Sequence, residues 1–265
     1  MADATPLPVL GAKRLRADGT SLWDTIVNGP VRSRRLGTSL GLNLIPPRSK
    51  LCTFDCPYCE CGLNTPKAEN ARWPSPDEVA HSLRRALARL PGPPDWITFA
   101  GNGEPTMHPR FPVVVDRVLA VRAELAPPPR TRVAILSNGL AAGRPAIRAA
   151  LMRLDARMMK LDPGPMERVN AARYDVERLV TDYWALKPYT IQAMVTKGRD
   201  WDGSSDEAVA AWLPWLLEAD PDGVQLYSLD RPPADQSLQN VPRERLEQMA
   251  AAIRQALPRS VVEVF

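Results

Sequence analysis

The four cysteines are the residues of this chain whose types and spacing most directly suggest chemistry, because all lie between positions 52 and 61, in LCTFDCPYCECG. A disulfide framework would scatter its cysteines along the chain, whereas a dense group in a reducing compartment favours a metal site. Cys52, Cys56 and Cys59 follow the spacing C-x3-C-x2-C, with Tyr58 directly before the third. Cys61 is too close to Cys59 to act easily as a fourth ligand, so we expect it to be a spectator thiol, with a redox or substrate-linked role as the alternative.

The compact arrangement of three thiols bears on which metal binds. A structural zinc site normally takes four Cys or His ligands in two separated pairs, and neither His81 nor His108 has the spacing of a zinc knuckle. Three thiolates on a 4Fe–4S cube would leave one iron without a protein ligand, and a small molecule could bind at that open position. Zinc or an electron-transfer cluster remains the alternative, and we expect His108 to be structural.

The elements that must position these cysteines alternate between apolar runs typical of strands and segments typical of helices. Strands are predicted over 41–46, 95–101, 132–139, 156–164, 190–198, 223–230 and 261–265. Helices are predicted over 75–90, 110–125, 145–154, 174–187, 206–220 and 242–257, with prolines 127–129 following the second. About six β-then-α units in a row indicate an α/β fold with a parallel sheet, either a barrel or an open doubly wound layer.

In both architectures the functional site forms at the carboxyl ends of the strands. The segment GNGEPT follows the second predicted strand, SNG ends the third, and KLD, TKG and SLDRPP end later ones. The cysteine loop follows the first strand into the same region. The sequence therefore predicts a single catalytic mouth.

Composition excludes several classes of protein. With 265 residues, 45% hydrophobic and 24% charged, the chain is neither disordered nor too small for a core. No apolar run approaches the roughly 18 residues of a membrane helix, and Met1 to Leu10 lacks the features of a signal peptide, so a cytoplasmic protein is predicted. A net charge of +4 does not select a partner, so nucleic acid stays possible but unsupported. We interpret 1–40 as an N-terminal extension and 41–265 as the core domain.

The cysteine motif with its preceding aromatic residue resembles the signature of radical S-adenosylmethionine (SAM) enzymes. GPVRSRRLGTSLGLNLIPP (29–47) and FAGNGEPTMHP (99–109) resemble a wyosine-enzyme-like branch of Fe–S oxidoreductases within that superfamily. The resemblance covers roughly 29–230 and implies a partial (β/α)6 TIM-type barrel. It also implies a 4Fe–4S cluster that cleaves SAM reductively and generates a 5′-deoxyadenosyl radical, which abstracts hydrogen from a substrate.

The resemblance carries over to individual residues. Cys52, Cys56 and Cys59 would bind three irons, and the amine and carboxylate of SAM would bind the fourth. The other expected SAM contacts are Tyr58 and Leu229 at the adenine; Gly101, Asn102, Gly103 and Glu104 at the methionyl ammonium; Ser137 and Asn138 at the ribose or carboxylate; Lys160 and Asp162 as polar contacts; and Gln192 at the carboxylate. Asn102 departs from the family, which often has Gly or Ser there.

The resemblance says less about the partners and the substrate of the protein. Such an enzyme would need an external electron donor such as flavodoxin or ferredoxin, and no cysteine remains for a second cluster. Alternatives are a glycyl-radical-type activating enzyme, a tRNA-base-modifying enzyme, and a non-catalytic Fe–S or zinc protein. The substrate, the catalytic residue and the oligomeric state stay open. Arg32, Arg34 and Arg35 either bind an anionic substrate or pair with acidic residues.

Overall fold

The computed structural model describes residues 10–65, 71–125 and 130–265, so residues 1–9 of the predicted extension and the prolines at 127–129 lie outside the described residues. The strands are β1 (Lys13–Leu15), β2 (Ser21–Trp23), β3 (Val27–Ser33), β4 (Gly37–Leu42), β5 (Trp96–Phe99), β6 (Arg132–Ser137), β7 (Ala156–Lys160), β8 (Thr190–Met194), β9 (Thr196–Lys197), β10 (Gly223–Tyr227), β11 (Gln239–Asn240) and β12 (Val261–Val264). The α-helices are α1 (Pro76–Leu87), α2 (Phe111–Ala123), α3 (Pro145–Leu151), α4 (Met166–Val169), α5 (Val176–Trp184), α6 (Asp206–Ala219) and α7 (Arg243–Ala256), and a short 3₁₀ helix spans Pro105–Met107.

One eight-stranded sheet organises the chain, in the order β12-β10-β8-β7-β6-β5-β4-β3. All neighbouring strands from β12 to β4 are parallel, and only the edge strand β3 is antiparallel to its neighbour. Helices connect the successive parallel strands, and the sheet curls into a half-barrel. The predicted partial (β/α)6 barrel is therefore confirmed.

The amino-terminal edge of the sheet differs from the prediction. The first parallel strand is β4, at Gly37–Leu42, rather than 41–46. Strand β3 lies within the predicted extension and pairs with β4, with a register shift between Asn28 and Val31. The boundary placed at residue 40 therefore falls inside a strand of the main sheet. The sequence did not predict β3, because the turn-forming residues at 28–30 (Asn-Gly-Pro) disfavour a strand locally. Tertiary pairing with β4 overrides that local preference.

The two faces of the sheet carry different side chains. A large buried cluster lies between the sheet and the helices, and it includes Ile97, Phe99 and Ile135. Alternate residues point to the concave face, where Trp96, Ala134 and Met158 pack with Leu36 of the β3–β4 turn. Polar side chains also lie on that face, in the pairs Ser39 with Thr98 and Gln192 with Gln225. The concave face is therefore partly filled and partly polar.

Helix starts follow from the sequence where capping residues are present. Ser75 caps α1 and forms a reciprocal capping box with Glu78, as the SPDE segment predicts. Ser205 caps α6 through the backbone N–H of Ala208, and that helix continues through Pro214. Within the described ranges, no helix combines the length and the apolar character needed to cross a bilayer.

Candidate cluster and cofactor site

A cavity of about 400 Å³ lies at the carboxyl ends of the parallel strands. Three of the four cysteines line it, namely Cys52, Cys56 and Cys59. Cys61 is buried outside this lining, with its sulfur 3.5 Å from the carbonyl oxygen of Gly101. Cys61 is thus the one cysteine that does not line the cavity.

The cysteine loop and the GNGEPT segment form one backbone unit. The N–H of Leu51 donates to the carbonyl of Asn102 at 3.3 Å, and the N–H of Glu104 donates to the carbonyl of Leu51 at 3.0 Å. Between these two bonds, Gly103 has φ +156°, and a Cβ there would lie 1.8 Å from the Leu51 oxygen. A Cβ on Gly101 would lie 2.6 Å from Asn43. Both glycines are therefore required by close approach within the protein.

Nitrogen donors approach the sulfur atoms of Cys52 and Cys56. The backbone N–H of Phe54 donates to Cys52 Sγ at 3.4 Å, and the side-chain amide of Asn138 approaches the same sulfur at 3.6 Å. The side-chain amide of Asn170 donates to Cys56 Sγ at 3.7 Å. Donors of this kind stabilise thiolates and tune the reduction potential of iron–sulfur clusters.

The cysteine thiols differ in acidity. Burial raises the pKa of Cys52 to about 11 and that of Cys56 to about 12. A hydrogen bond with Cys61 lowers the pKa of Cys59 to about 6, and the same bond raises the pKa of Cys61. Cys59 is consequently the thiol that most readily supplies a thiolate, and metal binding must displace protons from the other two.

Lys50 is a functional candidate that the sequence analysis missed. It lines the cavity, yet only 2% of the residue is exposed. Burial lowers the pKa of Lys50, but the nearby cysteine thiolates outweigh that effect and the pKa is raised. Its position two residues before Cys52 was visible in the sequence, but no pattern showed that its side chain turns toward the thiols.

Glu104 is a buried carboxylate at the cavity wall. One oxygen accepts hydrogen bonds from the hydroxyls of Ser137, at 2.8 Å, and Thr106, at 2.7 Å. The other accepts the backbone N–H of Asn138 at 2.8 Å. In the part of the chain that the structure describes, Glu104 forms no ion pair with Lys or Arg. Its neutral donors hold the carboxylate in place and leave its charge available to a cationic group of a ligand.

Asn102 does not line the cavity, although the sequence predicts it as a SAM contact. It is completely buried, and its side-chain amide bonds both the N–H and the carbonyl of Trp23 at 2.8 Å. Its backbone N–H donates to the side-chain oxygen of Asn43 at 3.0 Å. These bonds attach the β1–β2 hairpin to the GNGEPT segment, which gives Asn102 a structural role that no local pattern in the sequence reveals.

Asp162 also lies behind the cavity wall, and it joins several predicted residues. It bonds the hydroxyl of Tyr58, and its other oxygen lies 2.7 Å from Lys160 Nζ. Asn170 and the backbone N–H of Met194 donate to the same carboxylate. Burial disfavours the charge of Lys160, but Asp162 beside it raises the pKa of the lysine. Asp162 therefore positions Tyr58 and Lys160, which do line the cavity.

The remaining predicted residues line the cavity, and some of their polar groups form hydrogen bonds within the protein. Asn138 bonds the hydroxyl of Thr53 in the cysteine loop at 2.6 Å, and Ser137 bonds Glu104. The amide nitrogen of Gln192 donates to Gln225 at 2.9 Å. Lining residues that the sequence analysis did not identify as contacts include Leu136, Met194, Tyr227, Ser228, Arg231 and Phe265.

His108 lies outside the cavity lining. Its Nε2 is 2.8 Å from the carbonyl oxygen of Pro74, and its Nδ1 accepts the backbone N–H of Arg110. Burial lowers the pKa of His108. The imidazole therefore joins the segment before α1 to the start of α2.

Solved structures with similar folds have low sequence identity to this chain. Streptococcus suis SuiB bound to S-adenosylmethionine gives a TM-score of 0.57 at 15% identity, over 82% of this chain and 48% of SuiB. Methylornithine synthase PylB gives 0.54 at 12%, over 84% and 63%, and anSMEcpe with bound AdoMet gives 0.51 at 16%, over 83% and 60%. The chain thus spans about half the length of SuiB and shares the partial-barrel fold of these radical SAM enzymes.

Two sequence relatives carry the family name UPF0026. No family model matches the chain. A UPF0026 protein of Helicobacter pylori is 34% identical over 216 residues, which cover 78% of this chain and 67% of the relative. A UPF0026 protein of Methanocaldococcus jannaschii is 24% identical over 250 residues, covering 91% and 75%. On this similarity, the chain belongs to the UPF0026 family.

Proposed function

We propose that this protein is a radical SAM enzyme that abstracts hydrogen from a substrate. The observation that carries the proposal is that three of the four cysteines line one cavity at the mouth of the barrel. Cys52, Cys56 and Cys59 line one cavity together with Glu104, whereas Cys61 lies outside the lining. Three thiols at a shared cavity match the ligand set of a cluster with one open iron.

The donor set suits a cube better than a single ion. Within the described ranges, no three His, Cys, Asp or Glu side chains converge as the ligands of one metal ion do. A cube does not require such convergence, because each cysteine binds a different iron atom. A thiolate-bound cluster is negatively charged. Two features suit that charge: the amide donors at Cys52 and Cys56, and the buried cation of Lys50.

The residues of the chain would divide the binding of the cofactors. Cys52, Cys56 and Cys59 would hold the cluster, and Glu104 would bind the methionyl ammonium of SAM. When bound, cluster and SAM together supply a reductive cleavage that yields methionine and a 5′-deoxyadenosyl radical. Tyr58 and Lys160, fixed by Asp162, would form the wall facing the bound cofactor and keep bulk water from that side.

An external electron donor of the flavodoxin or ferredoxin type is part of the proposal. The chain has four cysteines, all in the one loop, so it holds no second cysteine group for an internal relay. A reducing cytoplasm would keep these thiols available for cluster assembly.

A pair of matched variants tests the proposal. After anaerobic reconstitution, the wild type should hold about four iron and four sulfide per chain. Cys56→Ala should lose both the cluster and the formation of 5′-deoxyadenosine on reduction with SAM present, whereas Cys61→Ala should retain both. A Cys56→Ala variant that kept its cluster and cleaved SAM, or a wild type that took up zinc in place of iron, would contradict the proposal.

A further inference from the structure

Three arginines around the β3–β4 turn line the cavity, but the structure distinguishes among them. Arg34 pairs with Asp230 at 3.1 Å, and both side chains are largely exposed. This pair joins the turn to the segment after β10 at the rim. Neither Arg32 nor Arg35 forms an ion pair with an acidic residue in the described part of the chain. The alternative of pairing with acidic residues therefore holds for Arg34 alone.

Arg35 is held in a way that leaves hydrogen-bonding capacity unused. Its guanidinium carbon lies 4.3 Å from the centre of the Tyr227 ring. Its Nη1 is buried and has no hydrogen-bond partner among the described residues. A buried guanidinium N–H without an acceptor costs free energy, and an acceptor on a bound ligand would remove that cost.

The charge around Tyr227 points to an anionic ligand rather than a neutral one. Lys160 Nζ lies 5.2 Å from the centre of the same ring and 3.1 Å from its hydroxyl. Asp162 balances Lys160 at 2.7 Å, but no described carboxylate balances Arg35. Arg231, which also lines the cavity, is already paired with Glu60. Arg35, like Arg32, therefore carries a charge that no described carboxylate compensates.

We propose that Arg35, assisted by Arg32, forms a subsite for an anionic oxygen group, a carboxylate or a phosphate, on the substrate. This inference rests on the proposed function, because it takes the cavity to hold the substrate beside SAM. A guanidinium stacked on an aromatic ring presents its N–H groups as a rigid fork that matches such groups. The carboxylate of SAM is the other possible source of this chemistry, and the experiment separates the two sources.

The test uses inorganic phosphate and succinate as probes of the reconstituted protein containing SAM. Thermal unfolding is measured against chloride at the same ionic strength, which removes the effect of general screening. A probe at tenfold excess over its Kd should raise the Tm of the wild type by roughly 3–6 °C. Arg35→Gln should abolish this shift, and Arg35→Lys should retain a smaller one. The matched control Arg34→Gln should respond like the wild type.

The outcomes either support or overturn the subsite. No shift in the wild type beyond that in chloride, or the same shift in an Arg35→Gln protein with an unchanged Tm in chloride, overturns it. Equilibrium dialysis of labelled SAM forms the second arm: competition by phosphate would assign Arg35 to the carboxylate of SAM and overturn the assignment to substrate. An Arg35-dependent shift in a protein that takes up zinc and leaves SAM intact would support the anion subsite while refuting the proposed function.

Discussion

At the scale of single residues, Lys50 places a positive charge beside the thiols that would hold the cluster. A nearby cation stabilises the more negative, reduced state and so raises a reduction potential. At an effective dielectric constant of about 20, a unit charge within about 10 Å contributes about 1.7 kcal/mol, equivalent to tens of millivolts for one electron. Lys50→Met should therefore lower the midpoint potential of the reconstituted cluster by tens of millivolts, measured by redox titration monitored by electron paramagnetic resonance.

Lys187 provides the matched control for that measurement. It pairs with Asp220 and does not line the cavity. Lys187→Met removes the same charge from the chain but should leave the potential unchanged. Equal shifts in the two variants would show that the effect is not local to the cysteine loop.

The ion pair between Lys160 and Asp162 contributes to the stability of the fold. The Asp162 side chain is fully buried and that of Lys160 is 16% exposed. Removing one partner of a buried pair leaves an uncompensated charge and typically costs about 3–5 kcal/mol. We expect Asp162→Ala to lower the free energy of unfolding by about that amount in urea denaturation.

An exposed ion pair provides the control for the Asp162→Ala measurement. Arg84 and Glu124 pair on the surface with each side chain half exposed. Glu124→Ala should destabilise the protein far less than Asp162→Ala, since solvent screens exposed pairs. Similar losses for Asp162→Ala and Glu124→Ala would show that Asp162 does not organise the cavity wall.

The placement of residues at the cavity was predictable where the signal was local. The motif C-x3-C-x2-C indicates its three ligand candidates within eight residues, and those side chains line the cavity. The role of Asn102 depends on Trp23, and that of Lys50 on the direction of its side chain. Neither could be predicted, because both depend on contacts set by the tertiary fold.

At the scale of elements, the contact between the cysteine loop and the GNGEPT segment depends on one glycine. A Cβ at Gly103 would lie 1.8 Å from the carbonyl oxygen of Leu51, so the loop would have to move. Gly103→Ala should lower the free energy of unfolding by at least about 1–3 kcal/mol. It should also reduce the iron retained after reconstitution, measured by iron analysis.

Gly92 offers a matched control for this substitution. A Cβ added there meets no atom within 4 Å. Gly92→Ala should leave both stability and iron content close to the wild-type values. A Gly103→Ala protein as stable and as rich in iron as Gly92→Ala would refute the view that loop and segment act as one unit.

Elements with regular local signals were predicted, and elements built from long-range pairing were not. Helix α1 has its capping box in SPDE, and β6 is an apolar run, so both could be identified from the sequence. Strand β3 contains Asn-Gly-Pro near its start and exists because it pairs with β4. The β1–β2 hairpin likewise depends on contacts with the cysteine loop, such as that of Arg16 with the carbonyl of Cys61.

At the scale of the whole molecule, the parallel sheet brings the cysteine loop, the GNGEPT segment and the ends of later strands to one cavity. The alternation of strands and helices was sufficient to predict this convergence, because parallel strands share their carboxyl edge. The closer resemblance to wyosine-type enzymes stays a prediction. The division into an extension and a core also stays one, although its boundary at residue 40 falls inside β4. The periodic alternation of strands and helices in the sequence does not determine either of these two predictions.

The most direct test of the account is the product formed from SAM by the reconstituted wild-type protein under anaerobic conditions. With dithionite as reductant, we predict 5′-deoxyadenosine and methionine in equal amounts, detected by liquid chromatography with mass spectrometry. Both products should disappear when either reductant or iron is omitted. A protein that holds about four iron per chain yet leaves SAM intact, or one that binds zinc alone, would contradict the central claim.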